Sequence, residues 1–309
     1  MRHQLEYAAV RFVSQVVRVF PLTAVRGFGE RMGLAFHALD GAHRRIAVAN
    51  LQAAFPQRSA HECRVIAKST FRHFGRLLLE LLKYASLTRD EQLARVDWEG
   101  EQHVRLALTQ RKGVLFCTGH FGFWEQQALA HALKFEPMAV MARPLDNPKL
   151  HALLESIRAS NGNPIIYRRG AVRKALRLLA EGKGVGILID QHMTSADAVS
   201  VDFFGRPAAT TSTLAALAIR TGAPVIPLFA LPLPGGRYRM IYEHPVEPPP
   251  PDSPDAVREF TQRCTDVLEM YVRHHPELWL WMHRRWREEA GVRLEPAPGM
   301  FPSAKADEG

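Results

Sequence analysis

At 309 residues, 47% of them hydrophobic and 23% charged, the chain has ample core material for one large globular domain or two modest ones. The formal net charge is +9 at pH 7, carried mainly by arginine, so an anionic partner is expected: nucleic acid, an acidic membrane surface or a phosphorylated substrate. No zinc-finger spacing, RNP-like aromatic strand or basic helix-turn-helix is visible, which sets nucleic acid aside and favours lipid phosphate.

Residues 1–40 carry no cleavable signal pattern, and no uncharged apolar run reaches the ~18 residues of a membrane span. Gln4, Arg11, Gln15 and Arg18 form a polar stripe beside Leu5, Phe12, Val13, Val16, Val17, Val19 and Phe20. That pattern suits a helix lying in a bilayer interface, and equally one packed on the protein's own core. The stretch Arg44-Arg45 to Phe55-Pro56 reads as an amphipathic helix stopped by the proline. Ser59, supported by Glu62, caps a second helix over 60–84 whose apolar positions run Val65, Ile66, Phe71, Phe74, Leu77, Leu78, Leu81, Leu82.

From residue 95 the pattern alternates. Strands are expected at 114–118, 137–142, 165–167, 185–190, 225–230 and 238–242, with helices at 124–133, 148–161 and 171–181 between them. The fold class that follows is α/β: a mostly parallel central sheet flanked by helices, preceded by an N-terminal helical membrane-associating region. The expected organisation is helical over 1–94, α/β over 95–290 and a disordered tail over 291–309. The proline-rich run from Pro245 to Pro254 is a stiff connector into a last helix carrying Val257, Phe260, Cys264, Val267, Leu268 and Tyr271 on one face. Cys63, Cys117 and Cys264 lie far apart, without CxxC or metal-ligand spacing, and read as reduced core residues of a cytosol-facing protein.

The chain is organised around Gly113-Val-Leu-Phe-Cys-Thr-Gly-His-Phe-Gly-Phe-Trp-Glu125. Its apolar run suits a strand covered on both faces, and Gly119 and Gly122 permit a tight turn. His120 then leaves the carboxyl end of the strand, where open α/β sheets bind ligands. Glu125, on the first turn of the next helix, is placed to fold back on the imidazole and make it a general base. A His near a Glu is also the ordinary make-up of a surface or capping pair. Further candidates sit at other strand ends. Arg143 follows the second strand, and Arg168 and Arg169 stand where the third meets a helix, an arrangement suited to an anion. Asp190-Gln191-His192 ends the next strand, and with His120 it raises a metal-dependent hydrolase as a rival, although no HExxH-like spacing exists and no metal is expected. Phe203-Phe204-Gly205-Arg206 reads as a turn with exposed aromatics suited to an acyl chain, with Phe204 and Arg206 as its contacts. There is no GxSxG elbow, and Cys117, a possible nucleophile, lies inside an apolar strand.

The strand, glycine turn, His120, aromatics, Glu125 and helix resemble the His-x4-Asp/Glu box of membrane glycerolipid and lipid A acyltransferases. With Arg143-Pro144…Asn147-Pro148, Asp190-Gln191, Phe203-Phe204-Gly205-Arg206-Pro207 and Trp279 to Trp286, residues 40–290 resemble the bacterial lipid A biosynthesis lauroyl/myristoyl acyltransferase family. The chain departs from it in carrying His192 where many members have an acid, and Arg11 and Arg18 where many have a membrane-spanning helix. The resemblance implies transfer of a fatty acyl group from an acyl-carrier-protein thioester to a hydroxyl of a phosphorylated glycolipid, a lipid A precursor, at the cytoplasmic face of the bacterial inner membrane. It implies His120 as base with Glu125 as its partner, Arg143, Arg168, Arg169, Asp190, Gln191, Phe204 and Arg206 as substrate contacts, and no cofactor. An acceptor of the mannosylated inositol phospholipid type and a catalytically silent lipid-binding protein are the alternatives.

Overall fold

A computed structural model describes residues 2–167, 170–195 and 198–286. The expected tail over 291–309 lies outside the described residues. The chain opens with α1 (Arg2–Val19) and α2 (Leu22–Leu39), broken at Phe20-Pro21, because the residue before a proline is pushed out of the helical region. Asp40 accepts the His43 N–H and starts α3 (Gly41–Ala54), which stops ahead of Pro56. A capping box of Ser59 and Glu62 begins α4 (Ala60–Tyr84), as its sequence predicts. Then follow α5 (Arg89–Leu93), β1 (Val96–Glu99), α6 (Glu101–Thr109), β2 (Val114–Thr118), α7 (Trp124–Lys134), β3 (Met138–Ala142), α8 (Pro148–Arg158), β4 (Ile165–Tyr167), α9 (Ala171–Ala180) and β5 (Gly184–Leu188). A hairpin of β6 (Ala198–Asp202) and β7 (Pro207–Thr211) leads to α10 (Thr213–Thr221), β8 (Val225–Pro232), β9 (Tyr238–Tyr242) and α11 (Ala256–His274).

Among the described residues one sheet has the order β1-β9-β8-β2-β5-β3-β4, parallel throughout except where β8 meets β9. The expected mostly parallel sheet is therefore present. Side chains of the central strand alternate between two cores. Val114 and Phe116 pack with α6 and α7; Leu115 and Cys117 pack with α9, α10 and α11. The connection after β2 runs to β3 on one side and that after β5 to β8 on the other, so the topology switches direction at the carboxyl ends of these two neighbouring strands, where open α/β sheets bind ligands.

The N-terminal helices belong to the same two cores. The first half of α4 (Cys63, Ile66, Ala67, Phe71) joins one, and its second half (Leu77, Leu79, Leu81, Leu82) joins the other. α2 lies against α4 backbone to backbone: a Cβ on Gly33 would sit 2.1 Å from the Phe71 carbonyl oxygen, and one on Gly75 2.5 Å from the Gly33 Cα. The outer faces of α1 and α2 stay apolar and exposed at Leu5, Phe12, Val19, Phe20, Phe28, Phe36 and Leu39. No helix among the described residues is long and apolar enough to cross a membrane.

Strand β7 (Pro207–Thr211) falls outside the expected strands. Its pairing partner β6 carried no recognised signal, because both strands are short and mix small and polar residues.

Candidate active site

His120 stands just past the carboxyl end of β2, and Asp190 just past that of β5, its parallel neighbour. The Ile189 N–H donates to the Thr118 carbonyl at 3.0 Å, which fixes the register at which the two tips face each other. The imidazole Nδ1 lies 2.9 Å from Asp190 Oδ1, and the His120 backbone N–H donates to Oδ2 at 2.7 Å. The Trp279 indole N–H donates to the same Oδ2 at 2.9 Å. Asp190 is thus an acceptor for three donors, its side chain 2% exposed and that of His120 20%.

The electrostatics follow from this geometry. Burial pulls the His120 pKa down, but the Asp190 charge and hydrogen bond, helped by the charge of Glu125, outweigh burial and the opposing Arg158 and hold it above its ordinary value. Burial works to raise the Asp190 pKa, and the charge of His120, its two N–H bonds and the indole hold it below its ordinary value. With Nδ1–H donated to a carboxylate, Nε2 is left as the acceptor, the tautomer a general base requires.

The turn that carries His120 is shaped by two glycines. A Cβ on Gly119 would crowd the Asp190 carboxylate at 3.0 Å. Gly122 adopts φ +58°, and a Cβ there would meet the Ala230 carbonyl oxygen at 2.1 Å. The Gly122 N–H donates to Leu278 O at 3.0 Å and the Phe123 N–H to Ala230 O at 3.1 Å, so the turn is stitched to β8 and to the 278–281 segment.

Glu125 occupies the expected first turn of α7, but its carboxylate partner is Arg158, with Nε 2.8 Å from Oε2 and Nη2 2.5 Å from Oε1. The carboxylate that meets the imidazole is therefore Asp190 and not Glu125, which acts on His120 only through its field. The reason is position. The β5 tip brings Asp190 level with His120, while a bidentate guanidinium on α8 draws Glu125 away. Arg158 carried no sequence signal, since only the packing of α7 on α8 brings it to Glu125.

The remaining expected contacts divide. Gln191 is exposed, with its side-chain amide nitrogen 3.4 Å from His120 Nε2, and its carbonyl accepts from Arg285 at 3.3 Å. Arg143 is exposed at the carboxyl end of β3 and has no carboxylate partner among the described residues. Arg168 and Arg169 lie outside the described residues. Phe204 corrects the expectation of exposed aromatics. It is 5% exposed, at φ +60°, and packs edge-on against Phe55 and Trp281. The Arg206 guanidinium lies over Trp286 at 4.8 Å. The Phe-Phe-Gly-Arg turn thus supports the core and the 279–286 segment, because the hairpin folds both phenylalanines inward.

That segment is itself structural. Trp279, Trp281 and Arg285 are buried, and Arg285 donates to the carbonyls of Gln191 and Ala209 and to the Thr210 hydroxyl. Asn50 Nδ2 donates to the carbonyls of Trp281 and His283, both at 2.8 Å. Asn147 caps α8 and also ties it to His3 and Glu6 of α1. The rival metal set does not assemble. Among the described residues no three His, Cys, Asp or Glu side chains are grouped to hold an ion, and both Asp190 oxygens already receive N–H donors. Cys117 is buried, and its contact with Cys264, then burial and the neighbouring Asp190 charge, push its thiol pKa up.

Beside the site lies a mostly apolar cleft of about 460 Å³, lined by Phe71, Phe74, Leu78 and Met282 and also by Asp40 and His43. The Phe74 ring is 5.6 Å from Trp124, and Trp124 is 5.3 Å from His120, so one aromatic step separates cleft and imidazole. On the other side of the α2–α3 corner, Arg44, Arg45 and Arg64 surround a basic hollow of about 510 Å³.

The profile of the bacterial lipid A biosynthesis acyltransferases matches residues 1–288. The lipid A biosynthesis lauroyltransferase of Escherichia coli K12 is 28% identical over 274 residues, covering 87% of this chain and 86% of that protein. The lipid A biosynthesis myristoyltransferase of the same organism is 24% identical over 267 residues, covering 86% and 82%. A phosphatidylinositol mannoside acyltransferase of Mycolicibacterium smegmatis is 24% identical over 200 residues, 63% of each chain. Matched along almost its whole length by this profile and by these acyltransferases, the chain is an O-acyltransferase and belongs to the bacterial lipid A biosynthesis acyltransferase family.

Proposed function

We propose that the protein moves a fatty acyl group from an acyl-carrier-protein thioester to a hydroxyl of a phosphorylated lipid A precursor, directly and without an acyl-enzyme. The observation that carries this reading is the His120–Asp190 pair set between the tips of β2 and β5, one aromatic step from the apolar cleft. His120 Nε2 takes the proton of the acceptor hydroxyl as its oxygen attacks the thioester carbonyl carbon. The tetrahedral intermediate collapses with cleavage of the C–S bond, and the imidazolium returns the proton to the leaving thiolate. Asp190 holds Nδ1–H throughout and favours the charged imidazolium. The Gln191 amide, beside Nε2, is a donor for the developing oxyanion. The cleft takes the acyl chain. Arg143, the Arg168/Arg169 pair and the basic hollow of Arg44, Arg45 and Arg64 meet acceptor or membrane phosphates.

The protein works at the cytoplasmic face of the inner membrane, attached through the outer faces of α1 and α2. Side chains such as Phe12 and Leu39, 71% and 84% exposed in water, would each gain roughly 1.5–3 kcal/mol on burial in lipid.

The test is acyl transfer by the purified protein from lauroyl- and myristoyl-carrier-protein thioesters to a lipid A precursor, compared with folded His120→Ala. Loss of at least ~10²-fold in kcat supports the base. Undiminished transfer by the variant sinks it. The mycobacterial relative gives a mannosylated phosphatidylinositol a place beside lipid A precursor in the same acceptor panel.

A further inference from the structure

His73 lies on α4, buried to 3% exposure, and the chemistry above does not use it. Its two ring nitrogens face different partners. Arg76 Nη2 stands 3.1 Å from Nδ1, and the carbonyl oxygen of Gly122 stands 3.3 Å from Nε2. A guanidinium can only donate, so Nδ1 must accept, and the ring hydrogen sits on Nε2 and points at the Gly122 carbonyl. Burial first, then the Arg76 charge, pushes the His73 pKa down to about 3, so the ring stays neutral.

Arg76 is itself fixed. It sits between Glu30 of α2, at 3.4 Å, and Glu80, at 3.7 Å. Glu80 is held by Arg26 at 2.7 Å and by the Tyr238 hydroxyl. Gly122 is pinned from the opposite side by its N–H to Leu278 O. Its carbonyl is the point at which α4 grips the turn that carries His120.

We propose that His73 is a positioning residue for acyl transfer: its Nε2–H holds the Gly122 carbonyl and thereby fixes the turn that aims His120 Nε2 at the acceptor hydroxyl. This rests on the reading of His120 as the base. His73 touches no substrate, and its effect falls on the rate of the chemical step and not on substrate binding.

Two amides of similar polarity separate the two ring nitrogens. In His73→Gln the side-chain NH2 reaches the place of Nε2 and can still donate to Gly122. In His73→Asn the amide reaches only the place of Nδ1, meets Arg76, and leaves the Gly122 carbonyl unpaired. With folding checked by circular dichroism and thermal unfolding, His73→Gln should stay within roughly threefold of wild-type kcat, while His73→Asn should lose about tenfold, the worth of one buried hydrogen bond, with KM little changed. Its acid limb should also move to lower pH, as His120 drifts from Asp190. If the Asn variant does not fold, His73→Leu replaces it: it keeps an apolar side chain of similar bulk in the buried site, has no donor for the Gly122 carbonyl, and should show the same kcat loss. An Asn variant, or in its place His73→Leu, with the kcat and acid limb of the Gln variant overturns the proposal. So does a Gln variant that falls as far as Asn. His120→Ala in the same assay keeps the two readings apart. If it is dead while His73→Asn is wild-type, only the positioning role fails; if it still transfers, the base fails and the positioning role with it.

Discussion

Replacing Asp190 by asparagine removes one charge and almost no volume, and the structure dictates how the amide must settle. Oδ2 receives two donors, the His120 backbone N–H at 2.7 Å and the Trp279 indole at 2.9 Å. An NH2 at that place would strand both, so the asparagine turns its oxygen there and its NH2 toward the imidazole. Nδ1 must then accept, the ring hydrogen moves to Nε2, and the base loses the lone pair that takes the hydroxyl proton. The expected loss in kcat is on the order of 10²–10⁴-fold, the full contribution of a general base. The pH profile gives a second signature. In the wild type the His120 pKa is held above its ordinary value, and the proposed mechanism runs on neutral imidazole, so kcat/KM should rise with pH through an apparent pKa above the usual ~6.5. Without the Asp190 charge, burial governs and the limb should shift below that value. Stability should follow the same pair. The raised pKa of His120 contributes fully below ~6.5 and is lost as pH rises through the folded value; the lowered pKa of Asp190 contributes above ~3.9 and is lost as pH falls through its folded value. Steady-state acyl transfer from pH 5 to pH 9, with ¹⁵N chemical shifts of His120, reads all of this. An Asp190→Asn enzyme within a few-fold of wild type, its acid limb unmoved, would refute the reasoning.

Three further outcomes are expected. Gly122→Ala should abolish transfer, because the new Cβ meets the Ala230 carbonyl oxygen at 2.1 Å and the backbone stands at φ +58°; activity together with a crystal structure of the turn checks it. Arg26→Met leaves the Glu80 carboxylate buried without its 2.7 Å partner and should cost about 3–5 kcal/mol in urea unfolding, whereas a change under 1 kcal/mol would mean that Arg76 and Tyr238 suffice to hold the charge. Leu78→Trp narrows the apolar cleft and should move the kcat/KM optimum to a shorter acyl chain across a thioester series, and an unchanged preference would place the chain elsewhere.

Much of this was legible in the chain. The Ser59–Glu62 box starts α4 at the predicted residue, and the apolar run 114–118 forms the central strand, because caps and buried strands are set by local chemistry. His120 is readable for the same reason: a glycine turn after a buried strand throws its residue to the sheet edge. Its partner was not readable as a partner. Glu125 lies close in sequence, yet Asp190 comes close in space because β5 inserts beside β2, a pairing that no local pattern encodes. The Phe203-Phe204 pair misled similarly. Its turn residues announce a surface loop, but the β6–β7 hairpin turns the rings inward against Trp279 and Trp281. The apolar face of α1 was visible in the sequence as two equal possibilities, and the structure divides it: Val17 is buried and Val13 packs on the core, while Leu5, Phe12 and Val19 stay exposed.

The joining of β2 to β5 and to the 278–281 segment also dates the site within folding. The carboxylate that completes His120 arrives 70 residues later in the chain, and the indole that orients that carboxylate 89 residues later still. Neither contact can form until the intervening strands have paired, and such non-local closures come late because their loop entropy is lost before any contact repays it. A nascent chain that has not yet released Trp279 therefore holds its histidine but not the assembled base. Competence for acyl transfer should appear abruptly as the last hundred residues dock, which makes catalytic activity itself a probe for the final folding step of this sheet.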